Sequence, residues 1–469
     1  MEAAVLERLL DLALQKGGDY ADIYVEYKKN SGIWLEEDRV EKIHSGVESG
    51  LGIRVIKARQ TAYVYTSDLS PGALENAART ASQAINRSAA GRVIPLAVTA
   101  VKSSPPLDSL APHQVPWSHK MEQVLAANQA ARAVGPAIRQ VSVALADLEK
   151  QVVFANSLGE RVEDSFNRIR GMINVIAGRN GLLQTGYESV GGVSGWELLD
   201  EQHWEERARK AAQLAINMLS AQPAPAGRMP VILSAQAGGT MVHEACGHGL
   251  EADLVHKGLS VYKGKIGQTV ASPLVTVIDD ATLPQRYGSY VFDDEGTAAQ
   301  ATGLIENGRL VNYLYDRMTA AHDKTGSTGN GRRESYQHKP IPRMSNTFIA
   351  PGKDHPQEII SSTDRGLLVL KMGGGQVNTI NGDFIFEVSE AYMVEAGQVT
   401  YPVRGATLTG NGPKALQDVD RVGCDLGFAI GVCGKDGQGV PVSDAQPTIR
   451  IKELTVGGTL VKPGSGARR

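Results

Sequence analysis

Short runs of alternating apolar and polar residues, punctuated by glycine, set the tightest limit on how this chain can fold. The N-terminal segments "ADIYVEYKKN", "GIWLEEDRVEKIHSG", "GLGIRVIKAR" and "QTAYVYTSD" alternate in this way. Period-two alternation puts one face of a strand on a core and the other in water, so these segments predict a small antiparallel sheet. Toward the C-terminus "MPVILS" reads as a strand, and "GLIENGRLVNYLYD" and "FIFEVSEAYMVEAGQVTYPV" repeat the pattern. Asn307-Gly308 between apolar runs is the strongest short-range hairpin signal, and Ala396-Gly397 marks a second turn. Helical spacing breaks the strands in four places: "MEAAVLERLLDLALQKGG", "SPGALENAARTASQAINRS", "HKMEQVLAANQAARAVG" and "HWEERARKAAQLAINMLS". Pro71, just after Ser70, sits in the first turn of the second helix. Between the last two helices, "VSVALADLEKQVVFANS" and "GMINVIAGRN" read as strands.

The fold class expected is α+β. An N-terminal antiparallel sheet with helices precedes a middle α/β region. A predominantly antiparallel C-terminal β domain follows and carries one functional helix. At 469 residues the chain is too long for one ordinary core. The Pro/Ser stretch "VKSSPPLDSLAPHQVP" and the short linker "AQPAPAG" divide it into blocks at 1–104, 105–226 and 227–462, with a tail at 463–469. A formal net charge of -3 gives no basic surface of the kind nucleic acid selects, so no nucleic-acid partner is expected. No apolar run reaches transmembrane length, and no membrane association is expected. Glu2, Glu7 and Asp11 interrupt the apolar pattern of the first helix, which does not read as a secretory signal. Three cysteines, Cys246, Cys424 and Cys433, are too few for a disulfide framework. A reducing, cytoplasmic compartment is the expectation.

The densest chemistry lies in "MVHEACGHGL", Met241 to Leu250. It differs from the zinc-protease pattern H-E-x-x-H by one inserted residue between His243 and His248. Histidines four apart on an α-helix lie about 40° apart, whereas five apart they lie about 140° apart and diverge. A π-bulge would return both imidazoles to one face by absorbing the extra residue in a wider turn. The spacing therefore requires a helix that is π-like or broken near Cys246-Gly247, with Gly247 and Gly249 supplying backbone tolerance. Thr240 is placed to cap that helix, and Gly258 to stop it. Local candidates for a third ligand are Cys246, three positions after His243, and Asp253. Glu251 and Asp253 are also placed to orient an imidazole by hydrogen bond. His44, His113, His203 and His355 have no partners nearby in sequence and read as ordinary residues.

Taken together, "HEACGHGLEAD", "FDDEGTAAQATGLIENGRLVNYLYDR", "NGRRESYQHKPIPRMSNTFIAPG", "GDFIFEVSEAYMVEAGQVTYPVRG" and "GVCGKDGQGVPVSDAQPTIRIKELTVGG" resemble the TldD/PmbA family of zinc metallopeptidases. "DYADIYVE" and "GLGIRVI" resemble its first domain. The presence of His243, Glu244 and His248 points to the TldD, catalytic, branch. The resemblance implies a Zn2+ cofactor held by His243, His248 and a cysteine of the C-terminal Gly-rich loop, here Cys433, with Glu244 as the catalytic base. It leaves Cys246 and Cys424 to packing. It implies hydrolysis of unfolded or unstructured peptides in a cavity between two subunits. The partner would be a PmbA/TldE-like homologous subunit or a second copy of the chain, with the peptide held as an added strand. Arg332, Arg333, Tyr336 and Arg343 form a polar segment that could contact substrate.

Three other readings compete. "GVCGKDGQ" pairs Gly with Lys, but Ala429 and Asp436 stand where a P-loop needs Gly and Ser/Thr, and Pro441 follows where a helix should start. A non-catalytic peptide-binding or modulator subunit would not need His243, Glu244, His248 and Cys433 together. A zinc-dependent amidohydrolase acting on a non-peptide amide would need the same residues, and only its products distinguish it.

Overall fold

One continuous sheet joins the first two blocks of the sequence. The structure, a computed structural model, describes residues 1–58, 60–85, 97–103 and 110–458. The break read near residue 105 and the tail at 463–469 lie outside the described residues. The strand Tyr20–Glu36 pairs antiparallel with Arg39–Lys57 on one side and with Ile138–Asn156 on the other. The sheet then runs from Gln60–Thr66 at one end, through these three, to Glu160–Arg179 and Ala97–Ser103, with Leu182–Gly192 also paired to Glu160–Arg179. Ala97–Ser103 is parallel to its neighbour and the other pairs are antiparallel.

Two helix pairs cover this sheet. Leu6, Leu9, Leu10, Ala13 and Leu14 recur at helical spacing along Ala3–Leu14, and Leu74, Ala77, Ala78 and Ala81 do so along Pro71–Ala84. Both stripes bury against Ile23, Leu51, Ile53 and Val55. Trp117–Arg132 and Trp204–Met218 cover the other half, over Val141, Val143, Ile173 and Val175. Gly186 lets the last helix lie against its strand, because a Cβ there would stand 1.9 Å from the Ala211 carbonyl oxygen. The segment "GIWLEEDRVEKIHSG" is itself a hairpin. Glu36 pairs with Arg39 across Glu37 and Asp38, whose φ angles are 47° and 65°. No Gly or Asn marks that turn, so alternation alone hides it.

The C-terminal block holds two larger sheets. In one, Arg365–Val377, Gly227–Leu233, Ile449–Gly457, Thr407–Asn411 and Asp383–Glu395 pair in that order, and Asp383–Glu395 pairs back to Arg365–Val377, closing a ring. The other runs Arg309–Leu310, Ala301–Glu306, Val277–Asp280, Asn346–Ile349, Gln438–Gln446, Gly427–Lys435. Hairpins form at Asn307-Gly308 and at Ala396-Gly397, with positive φ at all four residues. The stretch read as a linker is stitched into the first of these sheets: Gln222–Pro223 pairs in parallel with Val403 and Arg404. Between the sheets lies one apolar core that includes Val231, Leu233, Phe386, Leu408 and Ile451, and Met241, Val242, Ala245 and Cys246 of the central motif. Among the described residues no helix is long and apolar enough to cross a membrane.

A buried ion pair fastens the N-terminal sheet to the C-terminal block. Arg54 Nε donates to Asp22 Oδ2 at 2.9 Å, and its Nη2 lies 2.6 Å from Glu295 Oε1. All three side chains are buried.

Candidate metal centre

The central motif is a chain of three helical geometries. An α-turn spans Thr240–Val242, a π-turn spans His243–Gly247, and a 3-10 turn spans His248–Leu250. The His248 N–H donates to the His243 carbonyl, the five-residue step of a π-turn. The inserted residue is thus absorbed between the two histidines, as their spacing requires. Two details differ from expectation. Gly239 rather than Thr240 precedes the helix, with no side-chain cap, and its own N–H donates to the Asp444 carbonyl at 3.0 Å. Gly247 is ordinary right-handed helix at φ -51°, so the reason for glycine there is space: a Cβ would lie 2.1 Å from the Met344 sulfur. A short helix, Ala252–Lys257, follows and ends at Gly258 with φ 75°.

Cys433 comes to the π-turn from the edge strand Gly427–Lys435. It sits next to a hairpin turn at Asp436-Gly437, not in an irregular loop, and pairs with Val440. Its Sγ lies 3.2 Å from His243 Nε2 and 3.4 Å from His248 Nε2. The imidazoles meet edge to face, with centroids 4.9 Å apart at 85°. One donor atom from each of the three residues lies within 4.8 Å of the others. A tetrahedral zinc with ordinary bond lengths separates bound nitrogen and sulfur by about 3.6 Å. The donors therefore fit that ion with small side-chain adjustments. Glu244 lines the same cleft, a cavity of about 690 Å³ walled also by Gly373–Gly375 and the edge strand.

Each imidazole is oriented from behind. His243 Nδ1 lies 2.8 Å from Asp444 Oδ1, and His248 Nδ1 lies 3.1 Å from Glu251 Oε2. Both contacts turn Nε2 toward the thiol. Lys435 ties the two halves of the site together, 3.1 Å from Glu251 Oε2 and 2.6 Å from Asp253 Oδ1. Asp253, a candidate third ligand, is thus engaged by lysine instead. Burial pushes the Cys433 thiol up, but the adjacent imidazoles outweigh it and bring it down to about 5. Burial lowers His248, but Glu251 outweighs it and lifts the ring to about 9. Glu251 itself is pushed up by burial yet held at about 2 by Lys435 and His248. Glu244 is raised, chiefly by burial.

The remaining sequence candidates do other work. Cys246 is fully buried, its Sγ 3.3 Å from the Val242 carbonyl, and burial lifts its thiol to about 12. Cys424 is exposed. Arg332, Arg333, Tyr336 and Arg343 are all buried, and Arg332 and Arg333 also border a cavity of about 280 Å³ apart from the Cys433 cleft. Arg343 donates to the Cys433 carbonyl and, at 3.3 Å, to that of Gln438, which clamps the cysteine hairpin. Arg332 donates to the Pro441 carbonyl at 2.8 Å, and Arg333 to that of Asp294 at 2.8 Å. Sequence reasoning missed Asp444 and Lys435. For Lys435 the Asp436-Gly437 dipeptide between apolar runs was the available signal, because a hairpin there puts it on the strand of Cys433, two residues on; no local signal marks Asp444.

Three family models match the chain: PmbA/TldA metallopeptidase domain 1 over residues 21–85, the central domain over 111–219 and the C-terminal domain over 226–458. The chain is 36% identical to a metalloprotease TldD homolog from Haemophilus influenzae, over 98% of this chain and 97% of that one. It is 27% identical to a zinc metalloprotease TldD homolog from Saccharolobus solfataricus, over 95% and 98%. Among solved structures, TldE from Thermococcus kodakarensis superimposes with a TM-score of 0.75 at 19% identity, covering 97% of this chain and 100% of that one. A protein from Thermotoga maritima described as a modulator of DNA gyrase does so with 0.77 at 23%, covering 97% and 99%. The two structural likenesses speak to the fold, whereas the sequence matches extend across all three blocks and place the chain in the TldD/PmbA family of metallopeptidases.

Proposed function

We propose that the chain is a zinc-dependent peptidase of the TldD type, with His243, His248 and Cys433 as metal ligands and Glu244 as general base. The observation that carries this reading is the convergence of two imidazoles and a thiolate on one point, in a cleft that Glu244 also lines. A zinc ion bound there supplies a Lewis acid and lowers the pKa of coordinated water toward neutrality. The chain's own residues do the rest. Asp444 and Glu251 hold the ring orientations. Glu244, its carboxylate made more basic by burial, accepts the proton of the attacking water and returns it to the leaving amine.

The open edge of Gly427–Lys435 supports an extended peptide as substrate. That strand ends its sheet and carries Cys433, and its Val432 is 51% exposed. A peptide added there would be held by main-chain hydrogen bonds, which read little sequence and require an unfolded substrate. On the opposite wall Gly373 and Gly374 fall in a register break of Arg365–Val377, leaving room for a strand between. A second subunit of the same fold, TldE-like or another copy, would close the cleft.

A peptidase assay on unstructured peptides tests this, with the chain alone and with a homologous partner. Chelation should abolish hydrolysis and zinc should restore it. Products from non-peptide amides only would move the reading to another amidohydrolase. Cys433→Ala should lose bound zinc, and unchanged zinc content would remove Cys433 from the ligand set.

A further inference from the structure

A second group of metal-compatible donors lies outside the centre described above. His256 sits in the last turn of Ala252–Lys257, and His322 and Asp323 end the helix Arg317–Asp323. Both helices stop on left-handed residues, Gly258 and Lys324, and their last turns meet at His256 and His322. The two imidazoles lie with centroids 4.1 Å apart at 39°. His256 Nε2 is 2.9 Å from Asp323 Oδ2, and His322 Nδ1 is 2.7 Å from Asp323 Oδ1. One donor atom from each of the three lies within 4.8 Å of the other two. The Tyr315 hydroxyl donates at 3.0 Å to the same Asp323 Oδ2 that His256 contacts and fixes the carboxylate. The cluster borders a cavity of about 1040 Å³, lined by both histidines, so ions reach it from solvent.

An exposed histidine–aspartate contact is ordinarily a weak ion pair. This arrangement differs in two respects. Two rings with centroids 4.1 Å apart converge on one carboxylate, one ring on each of its oxygens. The carboxylate is also held by a tyrosine, as the carboxylates around metal ligands are. A divalent ion suits the group better, because it takes two neutral imidazoles and one carboxylate oxygen together. We propose that His256, His322 and Asp323 form a second, independent site for a divalent transition-metal ion, zinc foremost, with its remaining positions open to the cavity. The site has no sulfur, which separates it chemically from the Cys433 centre. Its occupancy would brace the helix Ala252–Lys257, whose Asp253 holds Lys435 beside Cys433.

Equilibrium dialysis of the chelator-stripped full chain against zinc(II), and in parallel against cobalt(II), tests this. Two equivalents are expected. With cobalt, one equivalent carries near-ultraviolet thiolate charge-transfer absorption and the other adds only ligand-field bands. His322→Gln should lose one equivalent and keep the charge-transfer band, whereas Cys433→Ser should lose the band and keep the nitrogen/oxygen site. Tyr315→Phe should weaken the second equivalent about 10-fold. Saturation of the wild type by the thiolate site alone overturns the proposal. So does a second equivalent that persists unchanged in both His256→Gln and His322→Gln.

Discussion

The thiolate of Cys433 and the two imidazoles form a charged group even without metal, and this has a consequence in protons. His248 is lifted to about 9 by its carboxylate partner, and His243 is raised in the same direction by Asp444. Cys433 is ionised above about 5. At neutral pH the metal-free rings therefore hold protons that a metal must displace, while the thiol has already lost its own. Metal affinity should rise with pH from neutrality toward about 9, and calorimetry in buffers of different ionisation enthalpy should register proton release. Flat affinity over that range would mean the rings are already neutral. Asp444→Asn removes the charge behind His243 and should weaken metal binding about 10- to 100-fold, measured by chelator competition. His243, Glu244 and His248 were legible because they fall within six residues. Cys433 was named only through family resemblance. Asp444 was invisible, because it meets His243 across 201 positions and nothing local distinguishes it from other aspartates.

At the level of elements, the inserted residue of "HEACGH" has a structural answer in the π-turn His243–Gly247. That turn was deducible from spacing alone, since two diverging imidazoles could not otherwise share an ion. The reason for glycine on either side of it was not deducible, because it depends on what packs there. Gly239 lies against the strand Gln438–Gln446, where a Cβ would stand 2.2 Å from the Ala445 nitrogen. Gly239→Ala should cost about 1–3 kcal/mol by denaturant unfolding, since backbone must move to admit the methyl group. Helices with an apolar stripe and hairpins with Asn-Gly were readable. The Glu37-Asp38 turn and the pairing of Gln222–Pro223 were not, because tertiary pairing overrides weak turn propensity there.

For the whole molecule, the alternation of strands gave the α+β class, but not the sharing of one sheet between the first two blocks. Strand order across a long connection leaves no local trace in sequence. The same holds for Arg54, which reads as one charge on an alternating strand and is in fact buried between Asp22 and Glu295. Arg54→Met strands two buried carboxylates and should destabilise the chain by about 3–5 kcal/mol, seen as a lower midpoint in urea. A change within experimental error would show that this ion pair adds nothing to the joint between the N-terminal sheet and the C-terminal block, which contacts such as Arg317–Glu160 also hold.

In the proposed chemistry Glu244 acts through a metal held by His243, His248 and Cys433. The most direct measurement is the rate of peptide hydrolysis by Glu244→Gln, in parallel with its zinc content, against the wild type. The variant should keep zinc at the Cys433 centre and lose activity by a factor of about 10²–10⁴, the usual contribution of a positioned base. A zinc-loaded variant that hydrolyses peptides at the wild-type rate would contradict it.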